Sequence, residues 1–286
     1  MAVYKRTYRG YAGAFTPTWS RFLVLYRFAR RTQSRSKIQT VFFVLCFFFP
    51  LLCLLGIYAN SHLSAFAFLG RRAGSFLEID GSFFLVYLSV QSALSFILTA
   101  FIGPGLVSPD LANGALTLYL CRPLSRTEYV LGKLSVLVIT LSWITWVPGL
   151  VLFFVQGSLS GWQWMSDNLW LANAILWGSF VWILLLAMLS LALSAWVKWR
   201  IAAGALLLAT FFVGAGFAQA VNAVLRTQQG YLLDISRLVS IIWQNLLRQQ
   251  GDRPLPVLEA WIAVLILYAL CLFLLMRKVK AAEVIR

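Results

Sequence analysis

NLWLANAILWGSFVWILLLAMLSLALSAWV, residues 168–197, is a run of 30 residues without a charged side chain. Aliphatic and aromatic residues make up most of it. A helix needs roughly 17–25 mainly apolar residues to cross a hydrocarbon core about 30 Å thick. The stretch therefore predicts a transmembrane helix, and with it the fold class of the chain.

Five other stretches also lack charge, and they contain 33, 29, 33, 25 and 17 residues at 38–70, 81–109, 134–166, 201–225 and 260–276. The whole chain is 61% hydrophobic and 12% charged, with a mean hydropathy of +0.82, whereas soluble domains are about 25% charged. We predict an all-α integral membrane protein with six transmembrane helices. Their expected positions are 38–59, 83–104, 134–156, 170–196, 201–224 and 258–276.

Basic residues are distributed unevenly between the two sides of these spans. The chain has 24 Lys and Arg against 9 Asp and Glu, a net charge of +15. With the N-terminus inside, 18 of the basic residues are cytoplasmic and six are outside, as the positive-inside rule requires. The charge thus indicates topology rather than nucleic-acid binding. We expect a multi-pass protein of the bacterial inner membrane with both termini in the cytoplasm.

The prediction divides the chain into a cytoplasmic arm, a transmembrane domain and a basic cytoplasmic tail, at 1–37, 38–276 and 277–286. An outer segment, 226–257, precedes the last span. Its apolar part, 231–249, is interrupted by Asp234, Arg237, Gln244 and Asn245. We interpret it as one or two amphipathic helices lying on or dipping into the outer leaflet. The alternative is a seventh span, which would place the basic tail outside.

The N-terminal arm has an amphipathic pattern. Thr16 and Pro17 are typical of a helix start, and aromatic residues follow at helical spacing among arginines. We predict an elbow helix in the plane of the lipid headgroups, with the membrane-interface residues Trp19, Phe22, Arg27, Arg30 and Arg31. A plain basic flank of the first span is the alternative, but it gives the aromatic stripe no role.

Residues that carry enzyme chemistry are sparse. The Gly132–Lys133 pair is not part of a phosphate loop, because Thr127 and Leu134 stand where that motif needs a glycine and a hydroxyl residue. The one histidine, His62, falls in a predicted outer loop, away from any cluster suited to a metal or a nucleophile. We expect no enzyme activity, no metal site and no cofactor in this chain.

Polar residues inside the predicted spans are uncharged. Ion-coupled carriers usually place an ionisable side chain within a span, and none of the six has one at its centre. Hydrogen bonding between helices is the simpler interpretation. The alternative is a translocation path along the second and fifth spans, with Gln91, Ser95, Thr99, Gln219 and Asn222 as its lining.

The loop between the second and third spans, residues 105–133, has two apparent helix starts. Ser-Pro-Asp at 108–110 has the features of the first, and a short amphipathic helix is expected from there to about Leu120, before Pro123. Ser-Arg-Thr-Glu at 125–128 has the form of a capping box. We predict a rigid cytoplasmic elbow.

The same loop resembles the signature of ABC-2 type exporter permeases, the membrane-spanning subunits of certain ATP-binding cassette transporters. In that family an acidic residue, a Gly-[Ala/Thr]-Leu triplet, a Pro-[Leu/Ile/Val]-[Ser/Thr]-Arg turn and a Gly-Lys-Leu follow one another, and here they correspond to Asp110, 114–116, 123–126 and 132–134. Asp110 stands where glutamate is common, and Ala115 where threonine is common. The layout of spans, elbow helix and outer helices is also similar to that of these type V exporter-like proteins.

The resemblance implies a half-transporter. Two copies, identical or related, would pair, and each would seat a coupling helix in a groove of a separate ATP-binding subunit that holds ATP and Mg²⁺. The implied ATPase-coupling residues are Asp110, Leu116, Tyr119, Arg122, Arg126 and Glu128. The capping box accounts for Glu128 locally, whereas Asp110 and Arg122 have no such local explanation in the sequence.

We therefore expect export of a lipid-linked, glycan, peptide or drug-like substrate across the cytoplasmic membrane. The alternative is a non-transporting anchor that relays ATPase motion to a partner on the outer face. A relay needs a sizeable outer surface, and only residues 60–82 and 226–257 are available for one. Transport is the favoured function.

Overall fold

The computed structural model describes residues 20, 24, 26–29, 37–61, 78–115, 125–251 and 254–278. In these ranges the chain forms helices and connecting turns, with no β-strand. Six helical stretches of the described chain are long and apolar enough to cross a membrane. They are the first to sixth spans: Lys37–Ser61, Gly81–Asp110, Arg126–Ser160, Leu169–Trp196, Arg200–Leu225 and Val257–Lys278. The predicted all-α fold with six potential transmembrane helices is confirmed, as expected of a multi-pass membrane protein.

Each of the first three spans is broken into two helices. The pairs are α1 (Lys37–Leu45) with α2 (Phe48–Ser61), α3 (Gly81–Ile102) with α4 (Pro104–Ala112), and α5 (Arg126–Ile144) with α6 (Trp146–Ser160). A proline follows each break closely: Pro50, Pro104 and Pro148. Proline has no N–H and its ring crowds the preceding turn, so it interrupts the helical hydrogen-bond ladder.

The last three spans are unbroken helices: α8 (Leu169–Trp196), α9 (Arg200–Leu225) and α11 (Val257–Lys278). Shorter elements connect them to the rest: α7 (Trp162–Asp167), a 3₁₀ turn (Gln229–Leu233) and α10 (Ile235–Leu246). The fourth span lies at the centre of the bundle. Its most apolar window is 72% buried, compared with 17% to 50% for the other five, because helices of the second, third, fifth and sixth spans pack around it.

The two ends of the bundle differ in charge. We call the end at which the first, third and fifth spans begin the basic end. Its described residues include seven bases and two acids: Lys37, Arg126, Lys133, Lys198, Arg200, Arg277 and Lys278, with Asp110 and Glu128. At the opposite end the described residues include three bases and five acids: Arg226, Arg237 and Arg248, with Glu78, Asp80, Asp167, Asp234 and Glu259.

Part of the predicted outer segment enters the bundle. Trp243 of α10 donates its indole N–H to the carbonyl of Gly178 at 2.9 Å, nine residues into the fourth span and therefore about 13 Å along its axis. The same indole packs against Trp182, with ring centroids 5.9 Å apart. With its 12 residues, α10 is too short to cross a membrane. It dips between the spans, as one form of the prediction allowed, and it is not a seventh span.

The second and fourth spans approach closely near the basic end. A Cβ atom added to Gly103 would lie 1.8 Å from Oγ of Ser190, so a larger residue would clash. One turn further on, the hydroxyl of Ser108 donates to the carbonyl of Ser194 at 3.0 Å, and the N–H of Ser108 donates to Oγ of Ser194 at 3.1 Å. Small residues with local hydroxyl bonds are typical of tight helix contacts in membranes.

Candidate functional site

A shielded cluster of one acid, one base and one phenol lies at the basic end. Nζ of Lys133 is 2.7 Å from Oδ2 of Asp110, and the two side chains are 8% and 16% exposed. The hydroxyl of Tyr129 donates to the same carboxylate oxygen at 2.9 Å. Lys133 also lies 5.6 Å from the centroid of the Tyr129 ring, within the range of a cation–π contact. Each charge is therefore stabilised by protein groups in place of water.

Local sequence positions this cluster. Asp110 lies near the end of α4, while Tyr129 and Lys133 are four residues apart and so share a face of α5. The hydroxyl of Ser125 accepts the N–H of Glu128 at 3.2 Å, and the N–H of Ser125 donates to Oε2 of Glu128 at 2.6 Å. The predicted capping box is confirmed. It fixes the first turn of α5, from which Tyr129 and Lys133 face α4.

The structure gives Asp110 the partner that its local sequence lacks. Lys133 is distant in the chain, and its contact with Asp110 depends on how the second and third spans pack. The local sequence offers Asp110 no partner, as expected, and Lys133 of the third span supplies one. Its contact with an ATPase subunit stays a prediction, now for a carboxylate that is mostly covered by Lys133 and Tyr129.

The first helix start expected in the loop is wrong. Ser108 does not cap a helix, because α4 already begins at Pro104, where proline is favoured as the first helical residue. Ser108 is buried and bonds to Ser194. The helix ends at Ala112, short of Leu120, and Gly114 follows with a φ of +64°, in the left-handed region that glycine tolerates best.

The other predicted coupling residues have different positions. Arg126 is exposed in the first turn of α5, and Glu128 is half-buried within the capping box. Leu116, Tyr119 and Arg122 lie outside the described residues. For the elbow helix, Arg27 is exposed in a helical turn at 26–29, and the remaining residues lie outside the described ranges: Trp19, Phe22, Arg30 and Arg31.

Three of the five predicted path residues are buried inside this one chain. Gln91, Ser95 and Thr99 are each 0% exposed. The indole N–H of Trp182 donates to Oγ of Ser95 at 2.8 Å, which links the second and fourth spans, and the hydroxyl of Thr99 donates to the carbonyl of Ser95 at 2.7 Å. These contacts fit the simpler interpretation of hydrogen bonding within the bundle.

The two residues from the fifth span are placed differently. Gln219 is exposed, and Asn222 is half-buried. Oδ1 of Asn222 accepts the N–H of Gly230 at 2.7 Å and so holds the 3₁₀ turn against the fifth span. The five predicted residues are therefore divided among the bundle core, an exposed face and a structural turn. Their role as a path stays a prediction.

Sequence reasoning missed what Gln91 binds. Its side-chain Nε2 donates to the carbonyl of Cys46 at 3.0 Å and to the carbonyl of Ile144. Each carbonyl lies four residues before a proline, Pro50 or Pro148, and so lacks its helical donor. The proline positions identify the two free carbonyls, but only the packing of three spans shows that one glutamine reaches both.

Within the described residues, no group of three or more His, Cys, Asp or Glu side chains is arranged to hold a metal ion. At the basic end, the Asp110–Lys133 pair connects the second and third spans. No protein-family model matches the chain, and no curated protein gives a significant match.

Proposed function

We propose that the chain is the permease subunit of an ATP-driven exporter of the ABC-2 type. It would move a substrate outward across the cytoplasmic membrane, driven by a separate ATPase subunit that docks on the loop 105–133. The observation that carries the proposal is the Asp110–Lys133 pair, which joins the end of the second span to the start of the third. A push on the intervening loop would therefore act on two spans together.

The charge distribution supports the orientation that this function needs. Among the described residues from 37 onward, seven bases lie at the basic end and three at the other. The positive-inside rule assigns the basic end to the cytoplasm, where ATP is available. Both termini would then be cytoplasmic in a bacterial inner membrane, with the arm 1–37 as the interfacial elbow.

A second copy of the chain, or a related one, would complete the transporter. Gln91, Ser95 and Thr99 are buried in contacts within one copy, so a substrate path is more readily formed between two copies than through one. Gln219 lies on an exposed face of the fifth span and is available to such a path.

The relay function is the second candidate, and one observation favours it. Three of the five predicted path residues are fully buried, and Ser95 and Gln91 bond to other spans. A relay needs a rigid connection between the basic end and the outer face and no open path. The two functions share the ATPase and differ in whether ATP hydrolysis moves a substrate.

The test begins with the tagged full chain in lipid nanodiscs, alone and with the ATP-binding subunit that co-purifies with it. We expect no ATP hydrolysis by the chain alone and a several-fold stimulation of the subunit when the chain is present. Asp110→Asn, which keeps the size but loses the charge, should reduce that stimulation. Asp80→Asn is the matched control, because Asp80 lies at the opposite end.

Two results would contradict the proposal: ATP turnover by the purified chain alone, or recovery of the chain without any nucleotide-binding subunit after cross-linking in cells. An assay in sealed vesicles that contain both subunits distinguishes the relay function from transport. Transport is supported if a lipid or other ligand, first identified between two copies of the chain, accumulates in an ATP-dependent way. ATP hydrolysis that depends on an outer-face protein, without accumulation, supports the relay.

A further inference from the structure

Two prolines release backbone carbonyls in separate spans. An α-helical carbonyl accepts the N–H four residues later, and proline has no N–H to donate. Pro50 therefore leaves the carbonyl of Cys46 without its helical donor, and Pro148 does the same for Ile144. The helices are interrupted at these places, at residues 46–47 in the first span and at Thr145 in the third.

One side chain from the second span binds both free carbonyls. Nε2 of Gln91, which is fully buried on the second span, donates to Cys46 and to Ile144. An amide NH₂ has two protons, so both are used. In the described chain Oε1 of Gln91 has no partner. The function of this buried amide within the bundle is therefore that of a double donor.

Tyr87 makes further contacts around the break in the third span. The hydroxyl of Tyr87, one turn from Gln91 on the same helix, donates to the carbonyl of Thr145 at 2.7 Å. The ring of Tyr87 also packs beside Gly149, where a Cβ would approach it to 3.0 Å. The second span thus supplies polar contacts to the break itself and fills the space beside it.

Side chains of two other spans also donate to a carbonyl beside the break in the second span. The carbonyl of Phe101, just before Pro104, accepts from Nε2 of Gln39 in the first span and from the guanidinium of Arg200 in the fifth, each at 3.1 Å. The first and second spans therefore exchange side-chain bonds at their breaks. In a hydrocarbon interior no water can replace such donors. A helix can therefore change its bend at a break only if the donor side chain moves with the carbonyl.

We propose that Gln91 couples the proline breaks of the first and third spans, so that the two spans bend together. When one span changes its bend, its free carbonyl moves and the amide of Gln91 moves with it. Because the same amide binds the free carbonyl of the other span, that span moves as well. This device belongs to the single chain and does not depend on the proposed transport function.

The test asks whether a change at one break is transmitted to the other. Pro50→Ala restores the N–H that the carbonyl of Cys46 lacks, so the first span should straighten and compete with Gln91 for that carbonyl. The readout is the distance between spin labels at Leu131, on the basic-end half of the third span, and Trp199, beside the central fourth span. Both positions are exposed, at 52% and 79%.

The full chain, in nanodiscs and with its native cysteines replaced by alanine, is measured by double electron–electron resonance. Leu131 lies about 21 Å along the helix from the break at Thr145, so a change in bend of about 20° would move its label by about 7 Å. We expect Pro50→Ala to shift the mean Leu131–Trp199 distance by about 3 Å or more. The shift should vanish when Gln91→Met, which keeps the length but donates nothing, is added.

Ser92→Ala is the matched control, because the hydroxyl of Ser92 bonds to Ser89 of its own helix, and it should leave the shift intact. Gln91→Glu tests the same point with a variant that stays polar, since a carboxylic acid can donate to only one carbonyl. It should also abolish the shift, and it decides the matter if the methionine variant does not fold. A Pro50→Ala protein without a shift, or a shift that survives in either Gln91 variant, would overturn the coupling.

Discussion

Asp110 and Lys133 form an ion pair of 2.7 Å from the two sides of the loop that joins the second and third spans. They are 23 residues apart in the sequence, with Gly114 and Pro123 between them, but the fold brings the end of α4 beside the start of α5. Because both are mostly covered, the loss of either partner would leave a charge with little access to water. This pair makes the position of the loop dependent on both spans.

Lys133→Met should destabilise the protein by about 3 kcal/mol, as expected when one partner of a largely buried pair is removed. The exchange Asp110→Lys with Lys133→Asp should recover most of that loss. Thermal unfolding in nanodiscs measures both. The exposed Lys198→Met is the control and should change stability by less than about 0.5 kcal/mol. Equal stability of Lys133→Met and the parent would show that the pair contributes nothing.

The pair also changes how an experiment on coupling must be designed. Asp110→Arg would place two cations side by side, and a loss of ATPase stimulation could then result from a displaced helix. A comparison of Asp110→Asn with the exchange of Asp110 and Lys133 separates a displaced helix from a lost contact with the ATPase. If the exchange restores stability but not stimulation, the carboxylate itself contacts the ATPase.

The capping box should contribute about 1 kcal/mol to stability. Ser125→Ala removes the acceptor of the Glu128 N–H and leaves the first turn of α5 less defined. Arg126→Ala, an exposed neighbour in the same turn, is the control. Unfolding followed by circular dichroism should show a lower midpoint for Ser125→Ala only. A matching decrease for Arg126→Ala would mean that loss of the cap is not the cause, since alanine has a higher helix propensity than arginine.

Gly103→Ala should cost about 1–3 kcal/mol, as overpacking of a tight contact does. Its new Cβ would lie 1.8 Å from Oγ of Ser190, so Ser190→Gly in the same protein should restore part of the stability. Gly216→Ala is the control, because a Cβ there meets no atom within 4 Å. If Ser190→Gly gives no recovery in the unfolding midpoint, the close approach of these two helices is not the cause.

Asp80 should make stability depend on pH. Its partial burial opposes ionisation, but hydrogen bonds from the hydroxyl and N–H of Ser82 and from the N–H of Phe83 outweigh this effect and lower the pKa of Asp80. A carboxylate with a lowered pKa stabilises the folded state above its unfolded pKa of about 4. That contribution is lost as the pH falls through the folded value.

Asp80→Asn, which keeps a capping side chain but cannot ionise, isolates this effect. The stability difference between the parent and this variant should be constant near neutral pH and should decrease below about pH 4. Thermal midpoints measured across this range provide the check. A difference that does not change with pH would show that ionised Asp80 does not stabilise the start of α3.

Local sequence was enough to predict the spans. Charge-free runs located all six, because a backbone in hydrocarbon must satisfy its hydrogen bonds internally and a helix does so within one segment. The capping box was predictable because it is local: Ser125 and Glu128 are only three residues apart. Prediction failed at Ser108, whose features are those of a helix cap, because Pro104 had already begun the helix and Ser194 was the partner.

The sequence by itself determined which six segments are long and apolar enough to span a membrane and which end of the bundle is basic, since each depends on neighbouring residues. Only the tertiary structure decided that Lys133 neutralises Asp110, that Trp243 reaches Gly178 and that Gln91 serves two broken spans. These contacts join residues far apart in the chain, and their formation depends on the relative position and rotation of whole helices. Side-chain packing sets that geometry, and no local pattern specifies it.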